Sequence, residues 1–182
     1  MDTGIKIYNL AKQLWGVNRS ITGEGVRQTL DIISEHIPKL KVHSVKTGTK
    51  VFDWTVPKEW HVNEAYIITP SGDHICDFKQ NNLHLVGYST PFNKTIPLSE
   101  LQNHLYSLPE QPDAIPYITS YYKERWGFCI SEIDRDKLED GDYQVVIDTK
   151  LFDGVLNYGE LIIEGDSKEE VFLSSYVCHP SM

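Results

Sequence analysis

The periodicity of apolar residues changes at Pro38, and this change constrains the fold more than any other feature of the sequence. Before Pro38, apolar residues recur at helical spacing. This predicts an amphipathic helix over residues 3–15 and a second helix that begins after an N-cap at Thr22. After Pro38 the apolar runs are short, rich in β-branched and aromatic residues, and separated by turn residues, as is typical of β-strands. The chain therefore predicts an α+β (mixed α/β) fold that opens with a helical pair.

The expected strands lie on both sides of a central helical stretch. They are Lys41–Lys46, Ala65–Thr69, His74–Phe78, Leu83–Tyr88, Tyr143–Asp148, Leu156–Glu164 and Glu170–Val177. The turn residues of 69–74 predict a hairpin that places Ile67 and Ile75 on adjoining strands, and Gly165–Glu169 should close another hairpin. Short helices are expected over 98–108, 117–125 and 131–138.

The charge balance argues against several classes of partner. The 182 residues carry 17 basic and 26 acidic side chains, a formal net charge of −9, and no stretch rich in Lys or Arg. Nucleic acid is therefore not an expected partner, because a basic face is needed to neutralise phosphates. No segment approaches the roughly 20 apolar residues that span a bilayer, and residues 1–14 lack the apolar run of a secretion signal. Three cysteines without a CxxC pair are typical of a reducing cytoplasm, which is the expected location.

The sharpest local feature is a predicted strand that runs through Val177 into Cys178 and His179. Sites in open α/β sheets lie at the carboxyl ends of strands, which is where His179 would fall. Imidazole is a common zinc ligand, and Pro180 would turn the chain away while leaving the ring fixed. Because a zinc site needs three or four ligands, two alternatives stay open: His179 is a metal ligand, or it is an ordinary residue at a strand end.

A second group of metal-ligating residue types comprises His74, Cys76, Asp77 and His84. Strand alternation places His74 and Cys76 on one face and Asp77 on the other, so these side chains converge only if a bulge intervenes. The alternative is a half-buried cysteine among solvated His and Asp residues on an antiparallel sheet.

Three further segments invite functional interpretations. Ser20–Gly25 has the glycines of a phosphate-binding loop, but it lacks the Lys-Ser/Thr pair and follows no strand, so a capped turn before the second helix is expected. Phe52–Trp60 and Tyr121–Trp126 concentrate aromatic and charged residues, which suits either a ligand or peptide groove or core packing with amphipathic edges. The sequence contains no Gly-x-Ser-x-Gly elbow and no cysteine-hydrolase signature.

Seven stretches spread along the chain carry a resemblance to a known family. They are Asn18–Arg27, Gly48–Trp60, Asn82–Tyr88, Leu108–Tyr117, Tyr122–Cys129, Tyr158–Leu161 and Tyr176–Met182. In this order they resemble a bacterial family of aminopeptidase-like proteins with the zinc-exopeptidase fold and an inserted domain of unknown function.

The resemblance implies a division of the chain. Residues 1–40 and 150–182 would form the N-terminal part of the aminopeptidase-like domain, and 41–149 the inserted β-rich domain. It also implies zinc as the cofactor and His179 as one metal ligand. At this position such peptidases commonly have the sequence His-x-Asp, whereas this chain has His-Pro-Ser. In the family the other ligands and the general base follow later. The chain thus resembles an N-terminal portion, and we expect it to have no peptidase activity alone.

These observations predict two functions from different classes. The first is the front part of a zinc-dependent aminopeptidase-like hydrolase that acts on a peptide or amide bond, with the inserted unit shaping substrate access or the contact of a homo-oligomer. The alternative is a non-catalytic module that binds a peptide, a glycan or a partner chain, and the resemblance links it to surface-polysaccharide biosynthesis. A third interpretation is a peptidase fold that has lost its activity and has a structural role. The expected partners are a peptide-like small substrate or a partner protein, not a membrane.

Overall fold

The computed structural model describes residues 2–179. Its α-helices are α1 (Thr3–Trp15), α2 (Glu24–His36), α3 (Leu98–Leu101) and α4 (Glu132–Arg135). Its strands are β1 (Lys41–Lys46), β2 (Lys50–Val51), β3 (Trp54–Thr55), β4 (Glu59–Ile68), β5 (His74–Ile75), β6 (Phe92–Pro97), β7 (Leu105–Tyr106), β8 (Phe128–Cys129), β9 (Asp142–Phe152) and β10 (Val155–Glu160). This mixture of helices and small sheets confirms the α+β fold class. Within residues 2–179 no helix is long and apolar enough to cross a membrane.

The chain divides into two compact units of similar length. The first comprises the residues up to Glu59 together with those from Phe152 onward, and the second comprises Trp60–Leu151. β1, β2 and β3 fall in the first unit, where β1 pairs antiparallel with β10 along its whole length. The division expected from sequence, 1–40 with 150–182 and 41–149, stays a prediction.

The first unit is built from α1, α2 and the sheet of β1 and β10. α1 and β1 occupy the residues predicted for them. The N-cap of α2 is Gly23 and not Thr22, because the Thr22 hydroxyl donates instead to the carbonyl of Lys58, 3.4 Å away. The buried side of α2 carries Leu30, whose side chain reaches Gly159 of β10.

The second unit is built around a four-stranded sheet with the order β5-β4-β9-β6. The predicted hairpin is confirmed, since Ile67 of β4 pairs with Ile75 of β5. Alternating residues of β9 supply the core, in which Tyr143, Val145 and Ile147 are almost completely buried. A second, two-stranded sheet pairs β7 with β8 in parallel.

Three predicted elements of the second unit are wrong. A 3₁₀ turn at Asn82–His84 takes the start of the strand expected over 83–88, and the rest forms only isolated bridges at Leu85 and Gly87. The helix expected over 98–108 ends early because Leu105 enters β7 and pairs with Phe128. The residues of 117–125 form no helix, because backbone N–H groups and an arginine side chain donate to their carbonyl oxygens. In each place a hydrogen bond from a distant part of the chain outweighs the local pattern.

The strand expected over 170–177 is also absent, and residues 161–179 as a whole contain no helix or strand. A strand is stable only when a neighbouring strand accepts and donates its backbone hydrogen bonds. No strand within the described part of the chain pairs with this segment. The side chains of Val171, Phe172 and Leu173 are consequently 88–89% exposed.

Candidate functional site

The end of the described chain interacts with the loop between α1 and α2, and both belong to the first unit. Cys178 and His179 are half-buried, and each interacts electrostatically with Arg19, whose surface is only 4% exposed. Burial first, and the Arg19 charge second, hold the pKa of His179 below its ordinary value. The imidazole is therefore neutral near pH 7, which is the form that binds metals.

The loop that carries Arg19 is held by close backbone packing. The Ser20 hydroxyl donates to the carbonyl of Thr22 at 2.6 Å, and both residues are buried. Gly25, in the first turn of α2, lies so close to Asn18 that an added Cβ would fall 1.8 Å from the Asn18 carbonyl oxygen. The expected capped turn is therefore a tightly packed loop, and its glycine at position 25 is required by the close approach and not by a phosphate.

His179 does not form a zinc site with the residues around it. No group of three or more His, Cys, Asp or Glu side chains between Asp2 and His179 is arranged to hold a metal ion, and zinc sites use three or four such ligands. The neighbouring Arg19 guanidinium also opposes a second cation. The described residues thus do not fit a complete zinc centre, and His179 as a metal ligand stays a prediction. Pro180, expected to turn the chain, and Ser181 lie outside the described residues.

The second predicted group, His74, Cys76, Asp77 and His84, does not converge on one point. The ring of His74 stacks on Tyr66 with centroids 4.8 Å apart, and the Asp77 carboxylate accepts the backbone N–H of Lys79 at 2.8 Å. β5 ends at Ile75, so the expected strand alternation beyond it is wrong, and Cys76 has a left-handed φ of 52°.

Cys76 and His84 do share one feature, a cavity of about 590 Å³ that lies within the second unit. It is lined by Thr69, Pro70, Ser71, Asp73, Ile75, Cys76, His84, Ile130, Asp134, Lys137, Leu138, Glu139 and Tyr143. This volume is in the range of small-molecule sites, and the mixture of an apolar wall with a few polar groups is typical of them.

The polar groups of this cavity favour binding over nucleophilic catalysis. Burial raises the pKa of the Cys76 thiol to about 12, so the thiolate needed for attack or metal binding is absent at neutral pH. His84 Nδ1 lies 2.8 Å from the Cys129 carbonyl oxygen and donates to it. Hydrogen bonds from Lys137 and Ser131 hold the pKa of Asp134 below its ordinary value, so that carboxylate is charged.

The two aromatic segments are mainly packing elements. Trp60 is buried and donates its indole N–H to the Ser89 carbonyl at 3.1 Å. Trp126 is stacked between Phe92 and His104, with ring centroids 4.0 Å and 3.6 Å away. Phe52 and Tyr122 are exceptions, since Phe52 is fully exposed and Tyr122 is 81% exposed.

An ion pair between the buried Glu59 and the half-buried Arg27 joins distant parts of the first unit and was not predicted from the sequence. The carboxylate of Glu59 accepts from the Arg27 guanidinium at 2.6 Å and from the backbone N–H of Val155 at 3.1 Å. This hydrogen bond to Glu59 is the main reason that the pKa of Arg27 is raised. The three residues lie far apart in sequence, so no local signal announces the contact.

Comparison with known proteins identifies the second unit. Residues 59–150 match the family described as Domain of unknown function (DUF2172). The chain belongs to the DUF2172 family. We therefore call Trp60–Leu151 the DUF2172 unit, and this unit contains the cavity described above.

Two similar proteins come from Clostridium acetobutylicum. One is provisionally named a polysaccharide biosynthesis protein with an aminopeptidase-like domain, and it is 55% identical over 181 residues, which is 100% of this chain and 42% of the relative. The other is the crystal structure of a protein provisionally described as a peptidase, with 55% identity and a TM-score of 0.94 over 99% of this chain and 42% of that one. The chain thus spans less than half the length of both relatives.

Proposed function

We propose that this chain is the front part of a metal-dependent aminopeptidase-like hydrolase that acts on a peptide or amide bond. The observation that carries the proposal is the 55% identity, over the whole chain, to a longer relative whose name includes an aminopeptidase-like domain. In this proposal the first unit begins the catalytic domain, and the DUF2172 unit is an accessory module inserted into it.

The surface of the first unit supports this proposal. Among residues 2–179, all but two of the exposed large apolar side chains belong to the first unit, and the exceptions are Tyr122 and Ile133. Because the two units are of similar length, the difference does not come from size. Such side chains gain free energy when another protein surface covers them. The longer relatives have more than half of their length available to make that contact.

His179 would be one ligand in a metal centre that the longer proteins complete. A bound zinc ion supplies the polarisation of a substrate carbonyl and the activation of water. The contribution of this chain is a neutral imidazole, which burial and the Arg19 charge keep deprotonated. Within residues 2–179 no group of three or more His, Cys, Asp or Glu side chains is arranged to hold a metal ion, so we expect no turnover from the chain by itself.

A fusion protein tests the proposal. This chain replaces the matched region of the Clostridium relative, and aminoacyl-arylamide hydrolysis is measured with zinc for the fusion and for the chain alone. We expect turnover only from the fusion, and a loss of at least about 100-fold on His179→Ala, because removal of a metal ligand disables the metal. His61→Ala, at an exposed position of the DUF2172 unit, is the matched control and should leave activity unchanged. Turnover by the chain alone that His179→Ala abolishes would contradict the proposal.

A second candidate function is small-ligand binding by the DUF2172 unit, and the cavity favours it. Its lining carries the carboxylates of Asp73, Asp134 and Glu139 against one ammonium group, that of Lys137, so it suits an amine better than an anion. An NMR titration with glucosamine and with neutral N-acetylglucosamine tests this. Shifts at the lining residues with the amine alone support the function, and the absence of such shifts rejects it.

A further inference from the structure

The tip of the β2–β3 hairpin carries an apolar side chain that the described structure does not use. Val51 pairs with Trp54, so Phe52 and Asp53 form a two-residue turn. Phe52 has a φ of 55° and a relative exposure of 101%. In a two-residue turn with a positive φ at its first position, glycine is the usual residue, because a side chain there is strained. Phe52 therefore combines backbone strain with complete exposure of a phenyl ring.

The hairpin below this tip is well anchored. Gly48 donates to the Val56 carbonyl at 2.9 Å, and Val56 donates in return to the Thr49 carbonyl at 3.0 Å. The Val56 side chain is buried, and the Thr47 hydroxyl donates to the Pro57 carbonyl at 3.1 Å. The base of the hairpin thus holds the tip in one place, which lowers the entropy that a contact through Phe52 would lose.

We propose that Phe52 is an apolar anchor. In a protein of the relatives' length, its ring inserts into a pocket formed by the region that this chain does not match. The inference rests on the proposed function, because it requires the remainder of the aminopeptidase-like protein to lie against the first unit. Phe52 lies in that unit, together with nearly all of the other exposed large apolar side chains of residues 2–179.

A second copy of the chain is a weaker occupant. The lining of the cavity of the DUF2172 unit includes three carboxylates and one ammonium group. A phenyl ring placed there would remove these charges from water without offering them a hydrogen bond. An aromatic anchor in a well-packed apolar pocket is, by contrast, the arrangement that dominates many protein contacts.

Cysteine labelling tests the proposal. Phe52→Cys and the control Tyr122→Cys, an 81% exposed position of the DUF2172 unit, are introduced into the chain and into the fusion with the Clostridium relative. Maleimide labelling of each site is followed by mass spectrometry of the peptides, so that the natural cysteines do not interfere. We expect Cys labelling at position 52 to be at least 100-fold slower in the fusion than in the chain, and labelling at 122 to be equal in both. Equal rates at position 52 would overturn the proposal.

The outcome is separable from that of the proposed function. A fusion that hydrolyses its substrate but labels freely at position 52 overturns the anchor and leaves the hydrolase intact, whereas a protected but inactive fusion supports the anchor alone. If the fusion does not fold, hydrogen exchange of the intact Clostridium protein decides. The backbone amides of the hairpin that matches residues 50–55 should exchange at least tenfold more slowly in the Clostridium protein than in this chain, after correction for the intrinsic exchange rates of the two sequences. An equal rate overturns the anchor.

Discussion

Replacement of Gly25 by alanine tests the packing of the loop that carries Arg19. An added Cβ would lie 1.8 Å from the carbonyl oxygen and 2.6 Å from the carbonyl carbon of Asn18. Both are backbone atoms, so relief requires a shift of the loop itself and cannot come from a side-chain rotation. Such overpacking costs about 3 kcal/mol.

Helix propensity acts in the opposite direction. Gly25 lies within α2, where alanine is favoured over glycine by about 1 kcal/mol. The net expectation for Gly25→Ala is therefore a loss of about 2 kcal/mol in the free energy of unfolding, which corresponds to a fall of about 4–8 °C in Tm for a chain of this length. Without the close contact the same substitution would raise Tm, so the sign of the change is diagnostic.

Thermal unfolding followed by circular dichroism at 222 nm measures the effect, with Gly16→Ala as the matched control. Gly16 caps α1 with an ordinary φ of −79°, and an added Cβ there meets no atom within 4 Å. Its substitution should change Tm by less than about 2 °C. A Tm for Gly25→Ala that equals or exceeds that of the wild type would refute the reasoning, because it would show that the loop moves away at no cost.

Three further predictions follow from the described contacts. Gly154→Ala should destabilise the chain by about 2 kcal/mol in urea unfolding, because its Cβ would lie 2.7 Å from the Glu59 Cβ, which no side-chain rotation moves, and 2.3 Å from the Glu59 carboxylate. Unchanged stability would contradict this close packing. Burial raises the pKa of Cys76 and Cys129 to about 12. The unfolded thiols ionise near pH 9 while the folded ones stay protonated, so stability should fall as the pH rises from 9 to 12, more than in a Cys76→Ala/Cys129→Ala variant. Elemental analysis after zinc incubation should find less than one zinc per chain, and His179→Ala should leave the zinc content unchanged, because the described residues offer no complete set of zinc ligands. One tightly bound zinc that is lost in His179→Ala would contradict this.

Local patterns predicted the bounds of several elements, including some whose partners lie far away in the sequence. α1 and β1 have the predicted bounds, because an amphipathic stripe and a β-branched run each match one periodicity. The Ile67–Ile75 pair was predicted because the intervening turn residues set the register of the hairpin. The leucines of 98–108 misled the helix prediction, since Leu105 is buried by pairing with β8 and not by a helix face.

The candidate sites were predicted less completely, because a site depends on side chains that lie far apart in sequence. Cys76 and His84 were chosen as chemical residue types, but Asp134 of the same cavity comes from α4 and carries no local signal. The neighbourhood of Arg19 and His179 likewise joins the two ends of the described chain. Periodicity reports only which face of an element is buried, and it does not report what lies against that face.

The sequence by itself determined the α+β class and the helical opening, since these follow from periodicity and turn residues, whereas the DUF2172 family was shown by comparison with known proteins. Only the tertiary structure decided that His179 lies beside a buried Arg19, that burial raises the pKa of the Cys76 thiol, and that Phe52 is exposed at the tip of a hairpin. The physical reason is that burial and neighbouring charge set a side chain's ionisation and accessibility, and both arise from contacts between distant parts of the chain.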